Sequence, residues 1–130
     1  MPGFDLKTTP DALSEQVIGA AIEVHRTLGP GLLESLYQGA MEQELLARGI
    51  AFASEVRLPV LYKGTLLDGS LRIDLVVDDQ LVVELKSLEA VLPVHCAQVL
   101  TYLRITGKKV GLLINFNSRL LRDGIRRFVL

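Results

Sequence analysis

Apolar residues fall at Leu13, Val17, Ala21, Val24 and Leu28. That is the spacing of one helix face, and Thr9-Pro10-Asp11 supplies a start signal. Leu28-Gly29-Pro30-Gly31 breaks the pattern. A second helix is expected from about Leu32 to Arg48, with Leu33, Leu36, Tyr37, Ala40, Met41 and Leu45 turned inward. Gly49 sits where a left-handed residue ends such a helix.

From Ser54 the period drops to two. Val56, Leu58, Val60 and Tyr62 alternate with mostly polar neighbours up to a Lys63-Gly64 turn. A strand from about Leu67 to Val77 places Leu71, Ile73, Leu75 and Val77 on one face, with Arg72, Asp74 and Val76 on the other. Asp78-Asp79 predicts a tight hairpin. The strand from Leu81 to Ser87 then buries Leu81, Val83 and Leu85 and carries Val82, Glu84 and Lys86 on its other face. Pro93 suits the first turn of a third helix, from about Val94 to Thr106, which Gly107 stops. Its core face is Val99, Leu100 and Leu103, while His95, Gln98 and Tyr102 lie above one another on a different face. Val110 to Asn115 reads as a buried strand, and Ile125 to Leu130 as a strand at the edge. The order ααβββαβ(β) implies an α/β or α+β fold, a mixed sheet flanked by helices. No internal repeat is visible, and 130 residues imply a single domain over 1–130.

The chemistry gathers on two strands. Glu84 and Lys86 share a face at about 6.6 Å along the strand, and the hairpin brings Asp74 beside them. Two carboxylates and an ammonium in an apolar sheet are costly unless something holds them. A divalent cation would. Magnesium takes hard oxygen ligands and keeps several waters, and the Leu85 backbone carbonyl is a candidate third ligand. Lys86 would orient a water, help remove its proton, or neutralise charge on a pentacovalent phosphorus. On spacing alone, a solvated charged strand face is the simpler account of Glu84 and Lys86. An ion pair with Arg72 or Lys86 is the simpler account of Asp74. Glu34 is either a dipole-favoured acid in the first turn of the second helix or a further metal or water ligand. Gln98 and Tyr102, about 6 Å apart along one helix face, either order a carboxylate, Lys86 or a phosphate, or mark an amphipathic boundary. His25 and His95 read as capping or core histidines, and neither stands in H-E-x-x-H spacing. Cys96 reads as a buried thiol. The chain has no Gly-x-Gly-x-x-Gly, P-loop or serine elbow.

Composition narrows the class. The chain is 49% hydrophobic, enough for a sizeable core, yet no run approaches the roughly 18 apolar residues of a membrane span. Met1-Pro2-Gly3-Phe4-Asp5 lacks the features of a signal peptide. Cys96 is the only cysteine, which excludes an internal disulfide and a multi-cysteine zinc site and leads us to expect a reducing cytoplasm. Net charge is −1, but residues 104–130 hold seven Lys and Arg against Asp123 alone. A basic segment on an acidic body is either a phosphate-facing stripe or a solvated face. Homodimerisation is a further expectation for so short and apolar a chain.

Gly31-Leu32-Leu33-Glu34-Ser35-Leu36-Tyr37 resembles the signature of the GxxExxY protein family. The resemblance spans nearly the whole chain: Val24-His25-Arg26, Leu28-Gly29-Pro30-Gly31, Tyr62-Lys63-Gly64, Arg72-Ile73-Asp74 and Val83-Glu84-Leu85-Lys86. It continues through Gln98-Val99-Leu100-Thr101-Tyr102-Leu103 to Gly111-Leu112-Leu113-Ile114-Asn115-Phe116. That family is similar to the PD-(D/E)xK nuclease superfamily, whose core is a mixed sheet flanked by helices. The resemblance implies that Asp74, Glu84 and Lys86 match the catalytic triad and that Glu34 matches an acid given by the preceding helix. It also implies that Gln98 and Tyr102 match the Q-x-x-x-Y element of RecB-type exonuclease domains. Ile73 replaces the proline that names the motif. The implied function is hydrolysis of DNA or RNA phosphodiesters with Mg²⁺ or Mn²⁺. The alternative is a silent nuclease-fold module that binds nucleic acid or a protein partner without cutting.

Overall fold

The computed structural model describes residues 10–130. Thr9 and the Met1–Asp5 segment, on which the helix-start and signal-peptide expectations rest, lie outside the described residues. The elements are α1 (Pro10–Leu28), α2 (Glu34–Ala47), β1 (Phe52–Tyr62), β2 (Thr65–Val77), β3 (Leu81–Lys86), α3 (Pro93–Thr106), β4 (Val110–Asn115) and β5 (Ile125–Val129), with a 3₁₀ turn at Leu121–Gly124 before the last strand. This is the order expected from the sequence. The sheet runs β1-β2-β3-β4-β5. Its pairs are antiparallel except β3 and β4, which are parallel and joined through α3.

Each face of the central strands is covered. On one side α1 and α2 pack Leu13, Val17, Val24, Tyr37, Met41 and Leu45 against Leu75, Leu81, Val83, Leu85, Leu112 and Ile114. On the other, Tyr102 and Leu103 of α3 pack against Ile73, Val76 and Val82. Strands clad on both faces lose the in-out alternation of exposure, and every residue of β4 is buried. Gly111 is where α3 comes closest. A Cβ there would lie 2.8 Å from Val99 Cγ1 and 3.5 Å from the Leu103 methyls. Gly111→Ala is expected to push α3 outward and to lower the unfolding free energy by about 1–3 kcal/mol, measured by urea denaturation. An unchanged midpoint would mean that α3 does not press on the strand.

The structure corrects several expectations. Helix α2 starts at Glu34, so Leu33 is its N-cap residue and is exposed, and Leu36 is exposed as well. Only Tyr37, Met41 and Leu45, one stripe at i, i+4 and i+8, are fully buried on α2. Leu28, at the last turn of α1, is also exposed. In β2, Ile73 joins the α3-side cluster while Leu75 and Val77 face α1 and α2. The alternation breaks around Asp74. There the β2–β3 ladder has ended at Leu75↔Val83, and Glu55 across on β1 has φ +50° and drops out of the paired positions. Tyr102 is buried with Leu103 rather than on a separate face. Cys96 is half-buried, because the inward stripe of α3 begins at Val99. Strand β2 begins at Thr65, since the turn needs only Lys63 and Gly64, both with φ > 0 as a two-residue hairpin requires. The tip of this hairpin is exposed throughout residues 61–70.

Candidate active site

The two acids sit where β2 and β3 part. Beyond Leu75↔Val83 no backbone pair joins the strands, and two carboxylates take over. The Asp74 N–H donates to Glu84 Oε1 at 3.0 Å, and the Leu85 N–H donates to Asp74 Oδ2 at 2.8 Å. Each acid thus satisfies a backbone donor that the other strand would have bonded. That answers how two acids are tolerated inside an apolar sheet: buried polar groups need partners, and no buried side-chain N or O among the described residues lacks one.

One oxygen of each acid is left to cations. Arg72 Nη2 donates to Asp74 Oδ1 at 3.3 Å, and its Nη1 donates to Glu55 Oε1 at 3.0 Å. Lys86 Nζ stands 3.8 Å from Glu84 Oε2 and donates to Gln98 Oε1 at 3.0 Å. Glu84 is 3% exposed. Burial, and then the neighbouring Asp74 carboxylate, push its carboxyl from the ordinary 4.5 to about 7. The Tyr102 hydroxyl is raised above its usual range, first by burial and then by the Glu84 charge, with the Gln98 side chain pulling the other way. Asp74, Glu84, Lys86, Gln98 and Tyr102 therefore form one group, as expected from their places on two strands and one helix.

Glu34 stands apart from that group. Its Oε1 accepts from the Ser87 N–H at 3.3 Å, one residue beyond Lys86, and makes no hydrogen bond to either acid. The G-x-x-E-x-x-Y spacing has a mechanical reason. Gly31 takes φ +100°, which L side chains rarely adopt. Tyr37 is buried, and its hydroxyl donates to Gly29 O at 2.5 Å and accepts from the Leu32 N–H at 3.2 Å. Its ring stacks on Phe116 at 4.4 Å between centroids. Tyr37 thereby clamps the loop that delivers Glu34, one helical turn away, to the end of β3.

The chain matches the model of the PD-(D/E)XK nuclease superfamily over residues 11–128. It belongs to that superfamily. No curated protein and no solved structure gave a match. Ile73, the residue before Asp74, is fully buried against the α3-side cluster. Its side chain fills the core ahead of Asp74.

The donor set at the site is small. Among the described residues no three His, Cys, Asp or Glu side chains converge on a point where they could hold a metal. Two carboxylates suit magnesium, which is commonly held by one or two and otherwise keeps water. They do not suit zinc, which favours nitrogen and sulfur ligands. The Leu85 carbonyl fits the same picture. In the parallel ladder the Lys86 carbonyl accepts from the Phe116 N–H at 2.9 Å, so the Leu85 peptide turns toward β2, where the ladder has ended.

Three further residues shape the site. Arg72, two residues before Asp74, bridges Asp74 and Glu55, a role that its i−2 spacing signals only in part. Gln38 Nε2 reaches the Asp74 carbonyl at 3.5 Å from α2, which no local pattern signals. Asn115, a polar residue ending a buried strand, holds the chain after β3 by accepting from the Leu88 N–H at 2.9 Å and donating to Leu88 O at 3.0 Å. The histidines have structural contacts. His25 Nε2 bonds Ser118 O at 2.7 Å, and the Leu92 N–H donates to His95 Nδ1 at 2.8 Å, capping α3.

Proposed function

We propose that this PD-(D/E)XK nuclease-like domain, of the GxxExxY type, hydrolyses phosphodiester bonds of DNA or RNA with one Mg²⁺ or Mn²⁺ held by Asp74, Glu84 and the Leu85 carbonyl. The observation that carries the reading is the reciprocal Asp74–Glu84 arrangement, with the other oxygen of each acid facing a side-chain cation. A bound Mg²⁺ supplies a lowered water pKa and a counter-charge for the phosphoryl oxygens. Lys86 offers its ammonium to the attacking water or to the charge that develops on phosphorus. Gln98 holds that ammonium by its Oε1, and Tyr102, packed below, fixes the level of α3. Arg72 neutralises Asp74 and is released when another cation takes its place. Glu34, bonded to the Ser87 N–H one residue past Lys86, would serve as a further acid for a metal or a water. The reading keeps residues 1–130 as one domain and the cytoplasm as its compartment.

Isothermal titration with Mn²⁺ and cleavage of single- and double-stranded DNA and RNA test the proposal together. Asp74→Asn is expected to weaken Mn²⁺ binding by more than about tenfold, since even outer-shell partners of metal ligands cost that much. A folded protein that binds no divalent ion at millimolar concentration would instead be the binding module without chemistry. Size-exclusion chromatography with light scattering tests the expected homodimer.

A further inference from the structure

The same end of the sheet carries a second feature. β3 and β4 run parallel with Lys86 paired to Asn115, so the chain leaving β4 starts beside Lys86. It turns against the C-terminal end of α1, where His25 bonds Ser118 O. Between them lies a groove of about 400 Å³, floored by Ile22 and Leu121 and rimmed by His25, Arg26, Arg119 and Arg122.

The charges on that rim are not equivalent. Arg26 is already paired with Glu23. Of the other five basic groups of the C-terminal segment three are engaged, Arg104 with Thr101, Lys108 with Asp79 and Arg127 with Asp11, while Lys109 and Arg126 are exposed but do not line the groove. Arg119 and Arg122 are exposed and make no ion pair or side-chain hydrogen bond among the described residues. The one acid in this segment, Asp123, is not among the residues lining the groove. Two unpaired guanidiniums thus converge on an apolar-floored trough, on a chain whose other residues are net acidic. Guanidinium matches phosphate geometry through paired N–H donors, and exposed Ile22 and Leu120 offer apolar contact to sugars or bases.

We propose that this groove binds the backbone phosphates of the nucleic-acid strand on which the Asp74–Glu84–Lys86 site acts, with Arg119 and Arg122 as the phosphate-contacting residues. It rests on the nuclease reading for its ligand. The acidic body repels a polyanion, so attraction is concentrated where the two free guanidiniums meet. The groove lies at the end of the sheet where β3 closes at Lys86, on the α1 side, so a strand reaching both crosses that end from the α3 side where Lys86 meets Gln98.

The test is fluorescence anisotropy with a labelled oligothymidylate, in EDTA, on a Lys86→Ala background, from about 50 to 200 mM salt. The Arg119→Ala/Arg122→Ala variant is expected to bind about 10- to 30-fold more weakly. The slope of log K against log salt should fall by about 1.4, the release expected from two single-strand phosphate contacts. Lys109→Ala, at the opposite end of β4, should leave both quantities unchanged. The proposal is overturned by an unchanged affinity and slope in a double variant with native circular dichroism. It is equally overturned by an equal loss in Lys109→Ala, by no binding of the parent, or by polyglutamate competing as well as the oligonucleotide. Binding is read without metal or turnover. A chain that never cuts can therefore still carry the groove, and one that cuts but binds unchanged without the two arginines loses the groove alone.

Discussion

Lys86→Ala is expected to lower the rate of phosphodiester cleavage at saturating Mg²⁺ by about a hundredfold to ten-thousandfold, the span for losing one positioned proton-transfer or charge-stabilising group. The ammonium is held by contacts at 3.0 Å to Gln98 Oε1 and 3.8 Å to Glu84 Oε2, and its side chain is mostly shielded. A positioned cation beside a carboxylate is worth more in such a place than in water. Lys86→Arg should not restore the rate, because a planar fork cannot occupy the place of a compact ammonium. Mn²⁺ affinity provides the control. Removing Lys86 takes a competing cation away from Glu84, so metal binding should be unchanged or tighter while turnover falls. Single-turnover cleavage together with titration calorimetry separates the two. Equal turnover in the alanine variant would assign the cleavage to another site or to a contaminant.

Metal-free protein should lose stability as pH rises from about 4.5 to about 7, through Glu84. The folded state holds this proton up to about pH 7, whereas the unfolded chain releases it near 4.5. The folded form therefore binds the proton more tightly. The stabilisation is complete below the unfolded value, declines as pH rises, and is gone above the folded value. A shift of this size is worth roughly 3 kcal/mol, set first by burial and next by Asp74. Other carboxylates run the opposite way in more acidic solution, so the informative quantity is the difference between the parent and Glu84→Gln. Urea denaturation in EDTA at several pH values should show that difference changing across the window, and a flat difference would place Glu84 in a water-like environment. Added Mg²⁺ should restore stability most at the upper end, where the carboxylate is free to bind it and ligation stabilises by mass action.

The two predictions meet at one physical point. The site holds two close acids in a buried setting, and their charge is answered by a proton on Glu84, by the Arg72 and Lys86 side chains or, under the proposed function, by a divalent ion. The backbone bonds Asp74 N–H to Glu84 and Leu85 N–H to Asp74 keep the acids from moving apart to relieve the strain. Metal affinity should accordingly rise as pH increases toward 7, because each ion must displace the Glu84 proton.

The order of elements was legible in the chain, since helix and strand periods, turn residues and Gly/Pro breaks are local properties. So was the grouping of the acids with the lysine, because i, i+2 spacing and a short hairpin leave little freedom. Alternation gave the wrong face for Ile73, and a helical stripe gave an inward Leu33 and Leu36 that are exposed. Such errors arise because a period names a face without naming what covers it. The three-dimensional packing sets the rest: β2 and β3 part at the acids, Tyr37 stacks on Phe116 to deliver Glu34 to Ser87 rather than to the carboxylates, and Gln98 meets Lys86. Only through it, too, do Arg119 and Arg122 come to line one groove with the end of α1. These contacts join residues far apart along the chain, where no local spacing carries the information. Their geometry follows from how two layers of helices close on one sheet.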